Sequence, residues 1–346
     1  MRTAVFHETF RSEERLWDSP TQQRLMAAFV LALFTLPMWG SDYVLAMACI
    51  VGIHVIATLG LNLTTGNAGL ISLSHGAFLG VGCYTVAFLG KMGVPFWLTL
   101  PAAGLLTAAL GVVVGLPSLR VKGIYLAVAT LAAHFILSFV YREWDSVTGG
   151  VPGTSIPRAN LFGFAFVGDR RNFFLIFAVV FVAALAARNL ARSHFGRAFV
   201  AVRERDFSAE ILGVNLLRTK LLAFAIGAFY AGVAGGLLGY FYGAITPDYF
   251  VLTLSVFYLA AVIVGGLGSV LGSVLGALFM TFVPEALRLL AHASSQWFPD
   301  VAGLLLPLGQ VVFGALIIGF LVFEPHGLAA SWARIRRSFH LWPFKT

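Results

Sequence analysis

Long apolar runs separated by short polar stretches organise this chain. A helix crosses a bilayer core with roughly 20 mostly apolar residues. Ten runs approach that length: 24–40, 44–63, 70–91, 96–117, 123–141, 172–190, 219–243, 251–266, 268–288 and 302–323. None alternates in the way of a β-barrel strand, so helices are the expected spanning element. The pattern predicts an all-α membrane protein, a polytopic bundle of about ten transmembrane or re-entrant helices. The runs at 70–91 and 251–266 are Gly-rich or short, and for either one spanning and re-entry both remain open. Residues 1–23 read as a polar tail, 24–328 as the membrane domain and 329–346 as a basic tail.

Two connections are long. Residues 142–171 are rich in turn formers (Thr148, Gly149, Gly150, Pro152, Gly153, Pro157). Residues 191–218 have helical character. Asp206 or Ser208 is placed to cap a short helix through Leu212, and Gly213 suits a left-handed C-terminal cap.

Composition supports the membrane reading. Hydrophobic residues make up 59% of the 346 and charged residues only 11%, against about 25% charged in soluble domains. The net charge of +8 does not form a basic stripe with exposed aromatics, so nucleic-acid binding is not indicated. The basic residues instead report topology. With the N-terminus inside, 17 of the 23 Lys and Arg fall on inner segments and six on outer ones. That bias predicts both termini in the cytoplasm. Cys49 and Cys83 lie in apolar runs and suggest neither disulfide nor metal cluster. The first two dozen residues mix acidic and basic side chains and lack the layout of a signal peptide.

The acidic residues narrow the energy source. Of the 15, only Glu285 falls within an apolar run, near its outer end. Proton-coupled carriers usually place a carboxylate or a relay in mid-membrane. No phosphate-cradling loop is present either, since Gly90-Lys91 is followed by Met92. Metal-protease, nucleophile-elbow and Cys/His ligand spacings are also missing. No catalytic residue, metal or cofactor is expected, and an enzyme reading has nothing to rest on.

Two groups of residues stand out. Gly232 and Gly236, then Gly268, Gly272 and Gly276, recur every fourth position, as does the pair Gly235 and Gly239. Small residues one turn apart let membrane helices approach closely. Packing within the chain is the reading favoured; contact with a partner subunit is the alternative. The stretch Gly66–Gly76 sets Asn67, Ser72, Ser74 and His75 among apolar residues, just after Asn62. Such backbone must face protein or a water-filled cavity. Asn62, Asn67, Ser72, Ser74 and His75 are therefore candidate walls of a solute path, with ordinary packing as the equal alternative. His54 and His134 read as packing or interhelical hydrogen-bonding residues.

Three stretches carry a family resemblance that covers roughly Leu45–Leu328. The first is Gly60-Leu61-Asn62-Leu63 through Gly66-Asn67-Ala68-Gly69, then Ser72-Leu73-Ser74-His75 and Phe78-Leu79-Gly80. The second, and most specific, is Gly196-Arg197-Ala198, Arg203-Glu204, Ala209-Glu210, Leu212-Gly213-Val214-Asn215 and Lys220–Phe224. The third is Val264–Ser269, followed by Phe323–Leu328. Together they resemble the branched-chain amino acid permease family of ATP-binding-cassette importers, in its LivM-like branch. Leu70, Ser74 and His134 depart from that family's usual Gln, Gly and apolar residue.

The resemblance implies a permease subunit of the bacterial inner membrane, surrounded by lipid. It implies a second, LivH-like permease subunit, two ATP-binding subunits on the cytoplasmic side and a periplasmic solute-binding protein. It also makes 196–215 a coupling helix, with Gly196, Arg197, Arg203, Glu204, Ala209, Glu210, Gly213 and Asn215 as coupling residues. Read without the resemblance, the same segment is a solvated amphipathic loop held at anionic headgroups by Arg197, Arg203 and Arg205. The implied solute is a branched-chain or other small amino acid. Urea, short amides or a sugar on the same architecture, and an ion-coupled carrier, are the alternatives.

Overall fold

The computed structural model describes residues 34–161, 164–165, 168–295, 302–324 and 327–341. The fold is nearly all helix. After a short helical piece at 34–39, Ser41 opens helix α1 (Asp42–Leu61), its hydroxyl accepting from the Val44 N–H at 3.4 Å. Helix α1 widens into a π-helical turn at Asn62–Asn67, and residues 68–74 leave the helix altogether. Helix α2 (His75–Lys91) then runs back. Helix α3 (Phe96–Gly115) follows Pro95, whose missing N–H costs nothing at a helix start. A 3₁₀ turn, Leu116–Leu119, leads to α4 (Ile124–Glu143).

Three helices then follow closely: α5 (Asp169–Arg192), α6 (His194–Ile211) and α7 (Leu216–Tyr242). A shorter α8 (Leu252–Gly265) precedes α9 (Val270–Ser295), α10 (Ala302–Phe323) and α11 (Gly327–Leu341). The turn-rich connection after α4 contributes two-residue strands. Thr154–Ser155 pairs antiparallel with Ala244–Ile245, and Asn160–Leu161 pairs with Phe164–Ala165.

Among the described residues, six segments are long and apolar enough to cross a membrane: 42–67, 96–119, 124–143, 169–192, 216–242 and 270–289. The run expected at 70–91 is corrected. Its first residues are not helical, and the helix starts at His75. The run at 24–40 lies mostly outside the described residues.

Helix α7 is the centre of the bundle, packed on α3, α2 and α1. Glycine makes those approaches possible. A Cβ at Gly82 would overlap the Gly232 carbonyl, and one at Gly235 would overlap the Leu79 carbonyl. Gly232 and Gly236 also face α3, where a Cβ would stand 2.7 Å from the Ala103 carbonyl and 3.0 Å from Leu100 respectively. Gly272 and Gly276 play the same part between α9 and α8, against the carbonyls of Gly265 and Ala261. All these neighbours belong to this chain. Gly268 differs: it lies in the α8–α9 turn with φ +79°.

The helix directions define two ends. One carries the π turn, the α3–α4 connection, all of α6, the α8–α9 turn and the start of α11, where Gly327 sits against Gly266. The other carries Asp42, the paired strands and the Arg142–Asp248 ion pair at 3.2 Å.

Candidate functional site

Helix α6 forms where a polar sequence follows a membrane helix. Ser193 ends α5 and caps α6, its hydroxyl accepting from the Gly196 N–H at 3.4 Å. Gly196 fits beneath the carbonyls of Leu190 and Ala191, where a Cβ would overlap both. Arg197 is exposed and donates to the Arg192 carbonyl at 3.2 Å.

The helix is not continuous. Arg205, at φ −156° and ψ 99°, is extended and divides it into two parts. The second part ends as its sequence suggests. The N–H groups of Gly213 and Val214 donate to the carbonyls of Glu210 and Ala209, each at 2.9 Å, and Gly213 has φ +88°. Asn215 then opens α7, its side chain accepting from the Arg218 N–H at 2.9 Å.

Asp206 does not cap a helix. It pairs with Lys122 at 2.6 Å and Lys220 at 3.3 Å. The Lys122 hydrogen bond, reinforced by Lys220, holds its carboxyl below the usual range. Lys220 is almost fully buried and also donates to the Ser118 carbonyl at 3.4 Å. This triad ties the second part of α6 to α7 and to the α3–α4 connection. Its signal was in the sequence: a Lys entering an apolar run needs an acid nearby.

Arg203, one turn earlier, points the other way. Its Nη1 donates to the Gly66 carbonyl in the π turn. Glu204, Phe207, Glu210, Ile211 and Leu212 are exposed, whereas Ala209 is buried. The outer face of α6 therefore presents three large apolar side chains, Phe207, Ile211 and Leu212, beside two carboxylates.

Most side chains of the polar stretch in the interrupted helix are hydrogen-bonded. Asn62 is buried. Its Oδ1 accepts from the Gly268 N–H at 2.8 Å, while Nδ2 donates to the Ser269 carbonyl at 2.8 Å and the Ser273 hydroxyl at 2.7 Å. Asn67 ends the π turn, also buried. The loop that follows spends side chains on its backbone. The Thr65 hydroxyl donates to the Leu70 carbonyl at 3.0 Å, and the Leu73 N–H donates to the Thr130 hydroxyl at 2.9 Å. Ser72 and Ser74 are buried and share a hydrogen bond of 3.1 Å.

His75 is buried with Nε2 2.8 Å from the Ala57 carbonyl. Ala57 lies about 22 Å along α1 from Asp42 at 1.5 Å per residue, so α2 begins inside the bundle and not at its rim. Helix α8 also begins inside: the Ser255 hydroxyl accepts from the Gly76 N–H at 2.8 Å and lies 3.4 Å from His134 Nδ1. Tyr258, one turn on, has its hydroxyl 2.8 Å from His54 Nδ1. The sequence reading missed Ser255, Thr130, Ser269 and Ser273, whose partners are distant in the chain. No group of His, Cys, Asp or Glu among the described residues could hold a metal.

The family model for the permease component of branched-chain amino acid transport systems matches residues 43–321. The chain belongs to the branched-chain amino acid permease family. It is 34% identical over 329 residues to the Escherichia coli high-affinity branched-chain amino acid transport system permease protein LivM, covering 88% of this chain and 74% of that protein. It is 32% identical to Escherichia coli LivH, over 77% of this chain and 91% of that one. Identity to Pseudomonas aeruginosa BraD is 29%, over 80% of this chain and 91% of that one. No solved structure matches. As a member of this permease family, the chain is a multi-pass inner-membrane transport subunit of an ATP-binding-cassette importer. It is not itself an enzyme, because ATP hydrolysis in such importers lies on separate subunits.

Proposed function

We propose that this subunit imports branched-chain or other small amino acids as one half of a LivM–LivH-like permease pair, with two ATP-binding subunits docked on the cytoplasmic side and α6 seated in a groove of one of them. A periplasmic binding protein delivers solute to the opposite end. The observation that carries the reading is the outer face of α6: Phe207, Ile211 and Leu212 stand exposed on a helix anchored from behind by Arg203 and Asp206. A lipid-surface loop would need no such backing. Charge supports the orientation. Arg120, Lys122, Arg192, Arg197, Arg203, Arg205, Arg218 and Lys220 all sit at the α6 end, which is then cytoplasmic. About ten transmembrane or re-entrant helices with both termini inside complete the proposed topology. The likeness to LivM and LivH favours amino acids over urea, amides or sugars.

The solute route runs beside the interrupted helix. Asn62, Asn67, Ser72, Ser74 and His75 form its closed wall, and the docked ATP-binding subunits alternate access past them. Support comes from the two helices, α2 and α8, that start inside the bundle, where polar backbone must line a cavity or meet protein. Alanine at Ser72 or Ser74 is expected to alter the relative uptake of leucine and smaller amino acids. A change in stability alone would make this stretch packing.

The coupling claim is tested at Gly213. A Cβ there meets nothing within 4 Å, so the main cost of Gly213→Val is the strain of a left-handed backbone, roughly 1–2 kcal/mol. Uptake by the reconstituted transporter, with membrane insertion measured alongside, should fall at least several-fold while insertion persists. Unchanged uptake refutes the coupling role. Uptake that needs neither ATP nor binding protein refutes the importer reading as a whole.

A further inference from the structure

We infer that Arg203 is a positioning residue that fastens the coupling helix to the interrupted membrane helix, so that force on α6 reaches α1 and the α8–α9 turn together. The inference deepens the coupling reading above and rests on it.

Three backbone segments converge on this one side chain. Its guanidinium donates to the Gly66 carbonyl. Its stem lies on Gly69, where φ is +69° and a Cβ would stand 3.0 Å from Arg203 Cγ and 3.3 Å from its Cα. Gly268, in the α8–α9 turn, would bring a Cβ to 3.4 Å from Nη1. Asn62 then completes the joint by gripping Gly268, Ser269 and Ser273.

A cation is suited to this place. The last carbonyls of a helix lack intrahelical partners and carry the negative end of its dipole. The π turn stops at Asn67, so the Gly66 carbonyl is one of those orphans. Arg203 supplies both the missing donor and the positive charge, from another helix. Glycine at 69 and 268 keeps the seat low enough for the guanidinium to reach.

The break at Arg205 gives the arrangement its mechanical sense. Before the break, α6 is tied to α1 and the α8–α9 turn. After it, Asp206 ties α6 to α7 and the α3–α4 connection through Lys220 and Lys122. A displaced α6 therefore pulls on two separate groups of helices, and Arg203 is the link to the one containing the interruption.

The test uses the complete transporter in proteoliposomes: the permease pair, both ATPase subunits and the binding protein. Uptake of radiolabelled leucine and ATP hydrolysis are measured on the same vesicles. Arg203→Met is expected to keep the ATPase subunits through purification, to lower uptake at least tenfold and to raise ATP consumed per leucine several-fold. Arg203→Lys, which keeps the charge, should recover part of the ratio. Gly69→Ala, which lifts the seat from the other side, should shift the ratio the same way and covers the case in which the Met variant does not fold.

Uptake and hydrolysis that fall in equal proportion in the variants that fold would make Arg203 a structural residue only. A wild-type ratio would also overturn the link. The underlying coupling reading has its own arm. Phe207→Asp with Leu212→Asp should strip the ATPase subunits from the purified complex; their retention with normal uptake overturns that reading whatever Arg203 does.

Discussion

Replacing Asn62 by Ala isolates the joint between the interrupted helix and the α8–α9 turn. Asn62 makes three hydrogen bonds, and their directions are fixed by chemistry. The Gly268 N–H can only donate, so it must face Oδ1; the Ser269 carbonyl can only accept, so it must face Nδ2. On truncation the losses are unequal. Ser273 keeps its bond to the Ser269 carbonyl at 3.2 Å, so both of those groups retain a partner. The Gly268 N–H, which is half-buried, loses its acceptor. Leaving one buried donor unmade costs about 1–3 kcal/mol, and the space left by the amide adds to it. Hydrogen bonds between membrane helices average about 0.6 kcal/mol in double-mutant cycles. The expected loss is therefore about 2 kcal/mol, read from unfolding of the purified permease in detergent.

Asn62→Asp sharpens the test. It preserves shape and the acceptor for Gly268 but sets carboxylate oxygen against the Ser269 carbonyl and buries a charge. It should destabilise more than Ala does. An Asp variant more stable than the Ala variant, or an Ala variant that unfolds like the parent, would refute the assignment of these three bonds.

At the α2–α7 crossing, Gly82→Val and Gly235→Val should each abolish a monodisperse peak in fluorescence-detected gel filtration. Gly314→Ala, where a Cβ meets nothing within 4 Å, should behave like the parent. For Asp206 the sign follows from a folded pKa held below the unfolded value. Its contribution is present above about pH 4 and is lost as pH falls further through the folded pKa. Protease protection of the α6 region should drop in that acid range, and Asp206→Asn should remove the acid-dependent part while exposing α6 at neutral pH.

Hydropathy revealed most of the helices because lipid exposure demands apolar length. The Gly, Asn and Ser residues of 66–76 signalled an interruption, but not that the helix restarts only at His75. Leu70, Ile71 and Leu73 are as apolar as a helix requires, and the break is stabilised by partners such as Thr130 and Ser255, 57 and 179 residues away. The Gly213 cap was legible because its chemistry is local. The break at Arg205 was not, since no residue there forbids a helix; the opposed anchors of Arg203 and Asp206 flank it. Asn62 and Lys220 were visible as polar residues in apolar runs, but their partners come from tertiary contact.

Helix lengths carry a consequence for the thickness of the barrier. At 1.5 Å per residue, α7 covers about 40 Å, more than the roughly 30 Å of hydrocarbon in a bilayer. Helices α2 and α8, of 17 and 14 residues, reach about 26 and 21 Å by the same measure. The tall helix leans or projects past the oil, while each of the two short ones covers only part of its depth.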